Sequence, residues 1–269
     1  MQYNISQKFL LLDQDINRIT SNMSITDCET VEKALEKTKL EVNHWMRINN
    51  VVVIFSDLKN STGISFDKQK KTMSKLLEYL NKPFIQIHQD FGAEFIDIKG
   101  DGGIAIYTEQ NAINAILAAV TTKSFYAKNI NGKVKTTYDI DFIVETGIAQ
   151  GSLLLKKIGG RAYSAPVWAG ETINKAALIS KELKKKNHAN NIGITQSLYS
   201  LISQDKTLSY YLSKTCGCNN NGIKKTLWTE ESLNMHHGEK YYYTNSNWCN
   251  IHGQDYINEI LTRPIMSSF

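Results

Sequence analysis

No stretch of this 269-residue sequence stays apolar for the ~20 residues that a membrane-spanning helix requires. The first residues, Met1-Gln-Tyr-Asn-Ile, do not place a basic region ahead of an apolar core. No secretory signal is therefore expected, and a cytoplasmic location is the default. Cysteine is scarce: Cys28, Cys216, Cys218 and Cys249 are the only four, and in a cytosolic chain of this size they are not expected to form disulfides. Charge of one sign is also lacking. The 31 basic and 26 acidic residues leave a formal +5, too mild to argue for a nucleic-acid partner. There are no internal repeats and no low-complexity linkers. What remains is ordinary for a globular protein, with 42% hydrophobic and 21% charged residues. The length fits one large domain with additions or two small ones.

The most informative stretch is Val51-Val-Val-Ile-Phe55-Ser-Asp57-Leu58-Lys-Asn-Ser61-Thr62-Gly63. Its β-branched run favours a buried strand. The strand delivers Phe55 and Asp57 to its end and then breaks into a turn of small donor residues. A carboxylate at such a mouth offers a hard oxygen ligand, and the turn offers backbone N–H groups to anionic oxygens. The same Asp could simply cap the turn.

Residues 1–50 read as a helical lead-in, 51–204 as the main domain and 205–269 as an irregular, aromatic-rich C-terminal appendage. In the lead-in, Phe9, Leu10, Leu12, Ile16 and Ile19 fall at roughly helical spacing. A second amphipathic pattern starts at Thr30 and runs through Trp45. Both helices are expected to pack on the domain, with dimerisation as the alternative. After the first strand, apolar residues from Met73 to Phe91 share one helical face, and Gly92 ends that helix. Ala93 to Tyr107 alternates on both sides of Gly100-Asp101-Gly102-Gly103, as a hairpin does. A second helix is expected from Asn111 to about Lys128, strands over 138–146 and 152–158, and a third helix opening at Trp168.

The order strand–helix–hairpin–helix–strand gives an α+β fold, a ferredoxin-like β-α-β-β-α-β sheet with helices on one face. In that layout the end of the first strand and the hairpin tip are neighbours, so Asp57 and Asp101 converge by topology. In the appendage, Cys216-Gly-Cys218 and Cys249-Asn-Ile-His252 together could close a tetrahedral zinc site. The alternative is a set of ordinary thiols in a loop-rich tail.

With these pieces in hand, the sequence resembles the class III nucleotidyl cyclase catalytic domain. The matching motifs are Phe55-Ser-Asp57-Leu58 with Ser61-Thr62, Lys99-Gly100-Asp101-Gly102, Gly147-Ile-Ala-Gln-Gly151, and Trp168-Ala-Gly170-Glu-Thr-Ile-Asn174-Lys-Ala-Ala177. The match runs from about Val51 to Lys185. Within that family the layout is most similar to the bacterial pyrimidine (uridylate) cyclases of Pycsar antiphage defence. The resemblance implies a head-to-tail homodimer with composite sites, in which Asp57 and Asp101, with the Leu58 carbonyl, bind two Mg²⁺ or Mn²⁺ ions. Asn174 of the other copy would orient the ribose, and residues 59–63 would cradle the phosphates, with Ser61 and Thr62 among them. The substrate would be a nucleoside triphosphate; neither a membrane nor a nucleic acid is implied as a partner.

Two departures from the family pattern bear on substrate and rate. The position where purine cyclases carry an adenine-reading Lys is Asp97, and the usual second purine-reading residue falls near Pro166 and Val167. Both disfavour ATP and GTP. Asp97 could accept from uracil N3–H or cytosine N4–H, with Phe55 walling the base. UTP is expected ahead of CTP by analogy with the Pycsar enzymes. The family's transition-state Arg falls at Leu178. Arg161 is the expected replacement, with Lys175 and Lys181 as alternatives; a purine cyclase with an altered base pocket and a degenerate, nucleotide-binding cyclase fold are the competing readings.

Overall fold

The computed structural model describes residues 4–19, 23–38, 43–61, 64, 70–160, 163–185, 191–218, 220–233 and 238–262. In chain order these form α1 (Ile5–Ile19), β1 (Ser24–Cys28), α2 (Val31–Lys37), β2 (His44–Leu58), α3 (Lys70–Asp90), β3 (Phe95–Lys99) and β4 (Gly102–Thr108). There follow α4 (Ala112–Phe125), α5 (Asn131–Tyr138), β5 (Val144–Gly160), β6 (Tyr163–Ala169), α6 (Glu171–Lys185) and β7 (Ile192–Thr195). The chain continues through α7 (Gln196–Gln204), α8 (Lys206–Leu212), β8 (Thr229–Ser232), β9 (Lys240–Thr244) and α9 (Gly253–Leu261). Two compact units share this chain: Met1–Asn49 with Ser152–Gly170, and Asn50–Gly151 with Glu171–Phe269.

In the smaller unit β1 runs parallel to the start of β2, from Ser24 opposite His44 to Cys28 opposite Ile48. Arg47 clasps Asp27 through two hydrogen bonds, of 2.5 and 2.9 Å. The later part of β5 pairs antiparallel with β6, from Leu154 opposite Ala169 to Gly160 opposite Tyr163. The expected helical lead-in is thus partly strand. The second helix is capped by Thr30, whose side chain accepts from the Lys33 N–H at 3.2 Å, and it stops at Lys37 rather than reaching Trp45. β-Branched and aromatic residues around His44–Ile48 find strand partners there. Helix α1 buries none of its residues, and Phe9, Leu10, Leu12, Ile16 and Ile19 stay exposed.

In the larger unit the strand order is β3-β4-β2-β5-β7-β9-β8. β4 lies antiparallel to β2, from Val51 opposite Thr108 to Asp57 opposite Gly102. The elements β2-α3-β3-β4-α4-β5 form the expected ferredoxin-like arrangement. Alternation along β2 turns Val52 and Ile54 into a core shared with Ala105, Tyr107, Phe84 of α3 and the buried face of α4. A second cluster joins Leu58 to Leu76 and Leu80 of α3, Tyr126, Val134 and Phe142. Pro83 sits inside α3, which continues through it to Asp90. His88 is fully buried, 2.7 Å from the Tyr107 hydroxyl, and burial pushes it down to about 3, so it is neutral near pH 7.

Several elements differ from expectation. Residues 131–138 are helical, α5, and the next strand starts at Val144; it then runs unbroken through Gly151. Trp168 belongs to strand β6, and the third helix starts at Glu171. The stretch after 205 is more regular than an appendage: β9 pairs with β7, β8 pairs with β9, and Leu208, Leu212, Trp228 and Ile260 join the main core.

Candidate active site

The site begins where β2 ends. Asp57 is opposite Gly102 in the β2–β4 register, one residue from the hairpin tip. The Leu58 N–H donates to the backbone carbonyl of Asp101 at 3.1 Å, which ties that tip to the strand end. Gly100 turns the corner at φ +64°, a backbone conformation that suits glycine, and its carbonyl accepts from the Asn81 amide of α3 at 3.1 Å. The two carboxylates, far apart in the chain, are close enough to act on each other. Asp57 is pushed up chiefly by burial; Lys184 pulls it down and the neighbouring Asp101 pushes it up again.

A cation is already engaged with this pair. The Lys184 ammonium, in the last turn of α6, donates to the Asp57 carboxylate, and both side chains are about three-quarters buried. The Ser61 hydroxyl donates to the Asp101 carboxylate. The Ser61 hydroxyl thus steadies Asp101. The Lys59 N–H is spent on the Ile143 carbonyl at 2.8 Å, so it does not belong to a phosphate cradle. Thr62, Gly63 and Arg161 lie outside the described residues.

Cross-strand register arranges the other candidates in rows. Phe55 on β2 faces Ile104 on β4, and Ile104 faces Asp97 on β3. The next row is Asp57, Gly102 and Lys99. Residues two apart on a strand share a face, so Phe55 and Asp97 lie on the same side of the sheet as Asp57. Asp97 pairs with Lys99 at 2.8 Å, a contact between neighbours on that face.

Helix α6 lies against β5 through Gly147, at which an added Cβ would stand 2.0 Å from the Ala176 carbonyl oxygen. The Ser180 hydroxyl donates to the Glu145 carbonyl at 3.0 Å and fixes the same contact. Asn174 is exposed on the first half of α6. At 1.5 Å per residue it lies about 15 Å along the axis from Lys184, too far to share the Asp57 carboxylate. Leu178 packs with Ile179, Leu183, Leu233 and Tyr241. Lys175 is held by Glu171 and Glu239 at 2.8 and 2.9 Å, and Lys181 is exposed. Neither of these supplies the cation at Asp57.

Sequence reasoning missed Lys184 and Glu145. Glu145 is fully buried on β5, accepts from the Asn191 N–H at 2.7 Å, and is pushed up to about 7 by burial. The Lys184-Lys185-Lys186 run reads as a solvated helix end, and nothing in the sequence separates its first member from the others. Cys216, Cys218, Cys249 and His252 also come together, between α8 and α9.

The arrangement therefore presents two adjacent carboxylates, a lysine ammonium bonded to one of them, and a sheet face with an aromatic ring and a further acid. That face has the form of a site for a polyanionic substrate carrying a flat base. No described helix is long and apolar enough to cross a membrane.

Comparison with known proteins identifies the family of this fold. Residues 44–230 match the family model described as "Adenylate and Guanylate cyclase catalytic domain". A curated uridylate cyclase of Micromonospora echinofusca is 26% identical over 271 residues, spanning 96% of this chain and 85% of that protein. A second, of Propioniciclava tarda, is 23% identical over 93% of this chain and 82% of its own length. Among solved structures, the adenylyl cyclase CyaB of P. aeruginosa superposes with a TM-score of 0.57 at 16% identity, over 76% of this chain and 96% of that one. A bacterial light-regulated adenylyl cyclase gives 0.56 at 15% identity, over 80% and 98%. The expected fold is thereby found, and the chain belongs to the adenylate and guanylate cyclase catalytic domain family: it is a class III nucleotidyl cyclase.

Proposed function

We propose that the protein converts UTP to 3′,5′-cyclic UMP and pyrophosphate, in composite sites of a head-to-tail homodimer. Its role would be that of a second-messenger synthase in antiphage defence, as in the bacterial cyclases it resembles. The observation that carries the reading is the juxtaposition of Asp57 and Asp101 at the rim of the sheet, tied together by the Leu58–Asp101 backbone hydrogen bond. The donor set fits divalent metal: two carboxylates with raised mutual repulsion, already compensated by a cation from Lys184. Asp57, Asp101 and the Leu58 carbonyl would hold Mg²⁺ or Mn²⁺. When bound, such ions would supply charge stabilisation to the attacking 3′-oxygen and the departing pyrophosphate.

The chain's own residues supply positioning. Ser61 orients Asp101. Asn174 is exposed and distant from Asp57 of its own chain, which supports a role for it at the ribose in another copy's site. Asp97 and Lys99 form an acceptor–donor pair that matches the uracil edge, with N3–H donating to Asp97 and a carbonyl accepting from Lys99. The cytosine edge offers the same two functions in N4–H and N3. The uridylate cyclase names of the similar proteins favour UTP. Phe55 closes the row as an apolar wall.

Incubating the purified protein with Mn²⁺ and each of the four nucleoside triphosphates, with products read by mass spectrometry, is expected to give cyclic UMP from UTP as the dominant product. Cyclic CMP dominating would move the assignment to CTP. No product from any triphosphate would favour a nucleotide-binding module, for which Leu178 at the usual Arg position is the specific support.

Lys184 also has a measurable consequence. Its ammonium is bonded to the Asp57 carboxylate that would hold a metal ion, so the two would compete for it. Lys184→Ala is expected to tighten Mn²⁺ binding to the nucleotide-free protein several-fold in a calorimetric titration, because a competitor is removed. Unchanged or weaker binding would show that the lysine does not compete for that carboxylate.

A further inference from the structure

The C-terminal part of the chain carries a second cluster of metal-ligand atoms, made of sulfur and imidazole rather than carboxylate. The sulfurs of Cys216, Cys218 and Cys249 and a ring nitrogen of His252 all lie within 4.8 Å of one another. Cys218 Sγ is 3.0 Å, and Cys249 Sγ 4.0 Å, from His252 Nδ1, across 34 residues of chain in the first case. Four ligands placed tetrahedrally at a Zn–S distance of about 2.3 Å stand about 3.8 Å apart, and the 3.0 and 4.0 Å separations here fall on either side of that value.

Each half of the cluster is shaped by its backbone. Cys216 and Cys218 flank Gly217, which sits at φ +87°, and a Cβ on Gly217 would come within 2.7 Å of the Gly222 backbone. The Gly217 carbonyl accepts from the N–H groups of Asn220 and Gly222, at 2.9 and 3.0 Å, closing a tight turn that points both sulfurs one way. On the other side, Cys249 and His252 are joined by the Gly253 N–H, which donates to the Cys249 carbonyl at 2.8 Å as α9 begins. The His252 ring is stacked near Tyr256 with centroids 6.0 Å apart, which leaves Nδ1 facing the sulfurs.

We propose that Cys216, Cys218, Cys249 and His252 form a structural Cys₃His zinc site that joins the loop after α8 to the start of α9. Three thiolates and an imidazole select zinc over magnesium or manganese, which prefer oxygen. Four protein ligands leave no open position for water, so the site is structural and not catalytic. It is chemically distinct from the Asp57–Asp101 pair, and it stands whether or not the cyclase assignment to UTP does. Ordinary unliganded thiols would have no reason to converge with an imidazole from two separate turns.

The test uses the full chain expressed in zinc-supplemented medium and purified without chelator. Elemental analysis is expected to find one zinc per chain. Exchange with Co²⁺ should produce the visible bands of a tetrahedral ion together with sulfur-to-cobalt charge transfer, which a carboxylate site cannot give. Cys218→Ser and Cys249→Ser should each lose the charge-transfer intensity or the bound zinc. Stripping the metal from the wild type should lower its melting temperature by about 10 °C, recoverable on adding Zn²⁺. Should those variants fail to fold, alkylation of the wild type decides: three thiols are expected to react only after chelation. Zinc-free protein that gives no charge-transfer band with Co²⁺, or a disulfide among these cysteines in the fresh protein, would overturn the proposal.

Discussion

Replacing either Asp57 or Asp101 with alanine is expected to cut cyclic nucleotide formation by at least ~10³-fold, with the protein still folded. Phosphoryl transfer depends on positioning and charge rather than on many side chains. Losing one of two carboxylates removes the seat for divalent ions and leaves the triphosphate uncompensated. The structural effect should be small and of opposite origin at the two positions. Asp57→Ala relieves a partly buried acid of repulsion from Asp101 but strands Lys184. Asp101→Ala frees Ser61 from its carboxylate partner and keeps the backbone bond to Leu58. Circular dichroism and a melting curve should stay close to wild type while turnover collapses. An alanine variant within tenfold of wild-type turnover would remove the two acids from the chemistry.

The second large effect is expected at a position that carries no side chain. Gly147→Ala should destabilise the protein by about 3 kcal/mol or more, enough to yield insoluble or strongly temperature-sensitive material. The added methyl would meet the Ala176 carbonyl oxygen at 2.0 Å and the Ser180 nitrogen at 2.8 Å, both of them backbone of α6. A helix backbone cannot rotate aside as a side chain can. The only relief is to lift α6 off the sheet, and α6 carries both Lys184 and Asn174. Gly132→Ala serves as the control. It lies in helix α5 with nothing within 4 Å of the new Cβ, so it should be neutral or stabilising by up to about 1 kcal/mol. Equal melting temperatures for the two variants would refute the close packing of α6 on β5.

The convergence of Asp57 and Asp101 was legible because it needs only the order of elements. A β-branched run, a helix, a glycine-tipped hairpin and another helix leave one ferredoxin-like arrangement, and that arrangement pairs β2 with β4. The hairpin and β2 were legible for local reasons, in alternation and turn chemistry. Helix α5 was not. Asn131-Gly-Lys-Val-Lys-Thr-Thr-Tyr138 has low helix propensity, and what recruits it is the tertiary burial of Val134 beside Leu80 and Phe142. Strand β6 was hidden by Pro166, which lacks an N–H and reads as a break. Lys184 and Glu145 were invisible for a different reason. A lysine among lysines, or a glutamate in a strand, reveals its role only when another element closes over it. Here those elements are β2 for Lys184 and residue 191 for Glu145.

The place of β9 in the sheet has a consequence for how the molecule is made. Strand β7 obtains its antiparallel neighbour from Lys240–Thr244, and the main core takes Trp228 and Ile260 from the same late stretch. While the ribosome is still translating those codons, the emerging polypeptide carries an unfinished sheet with an open edge and uncovered apolar surface. Assembly of the larger unit must therefore await the arrival of its last strands, and a nascent chain paused before them is a natural client for chaperones.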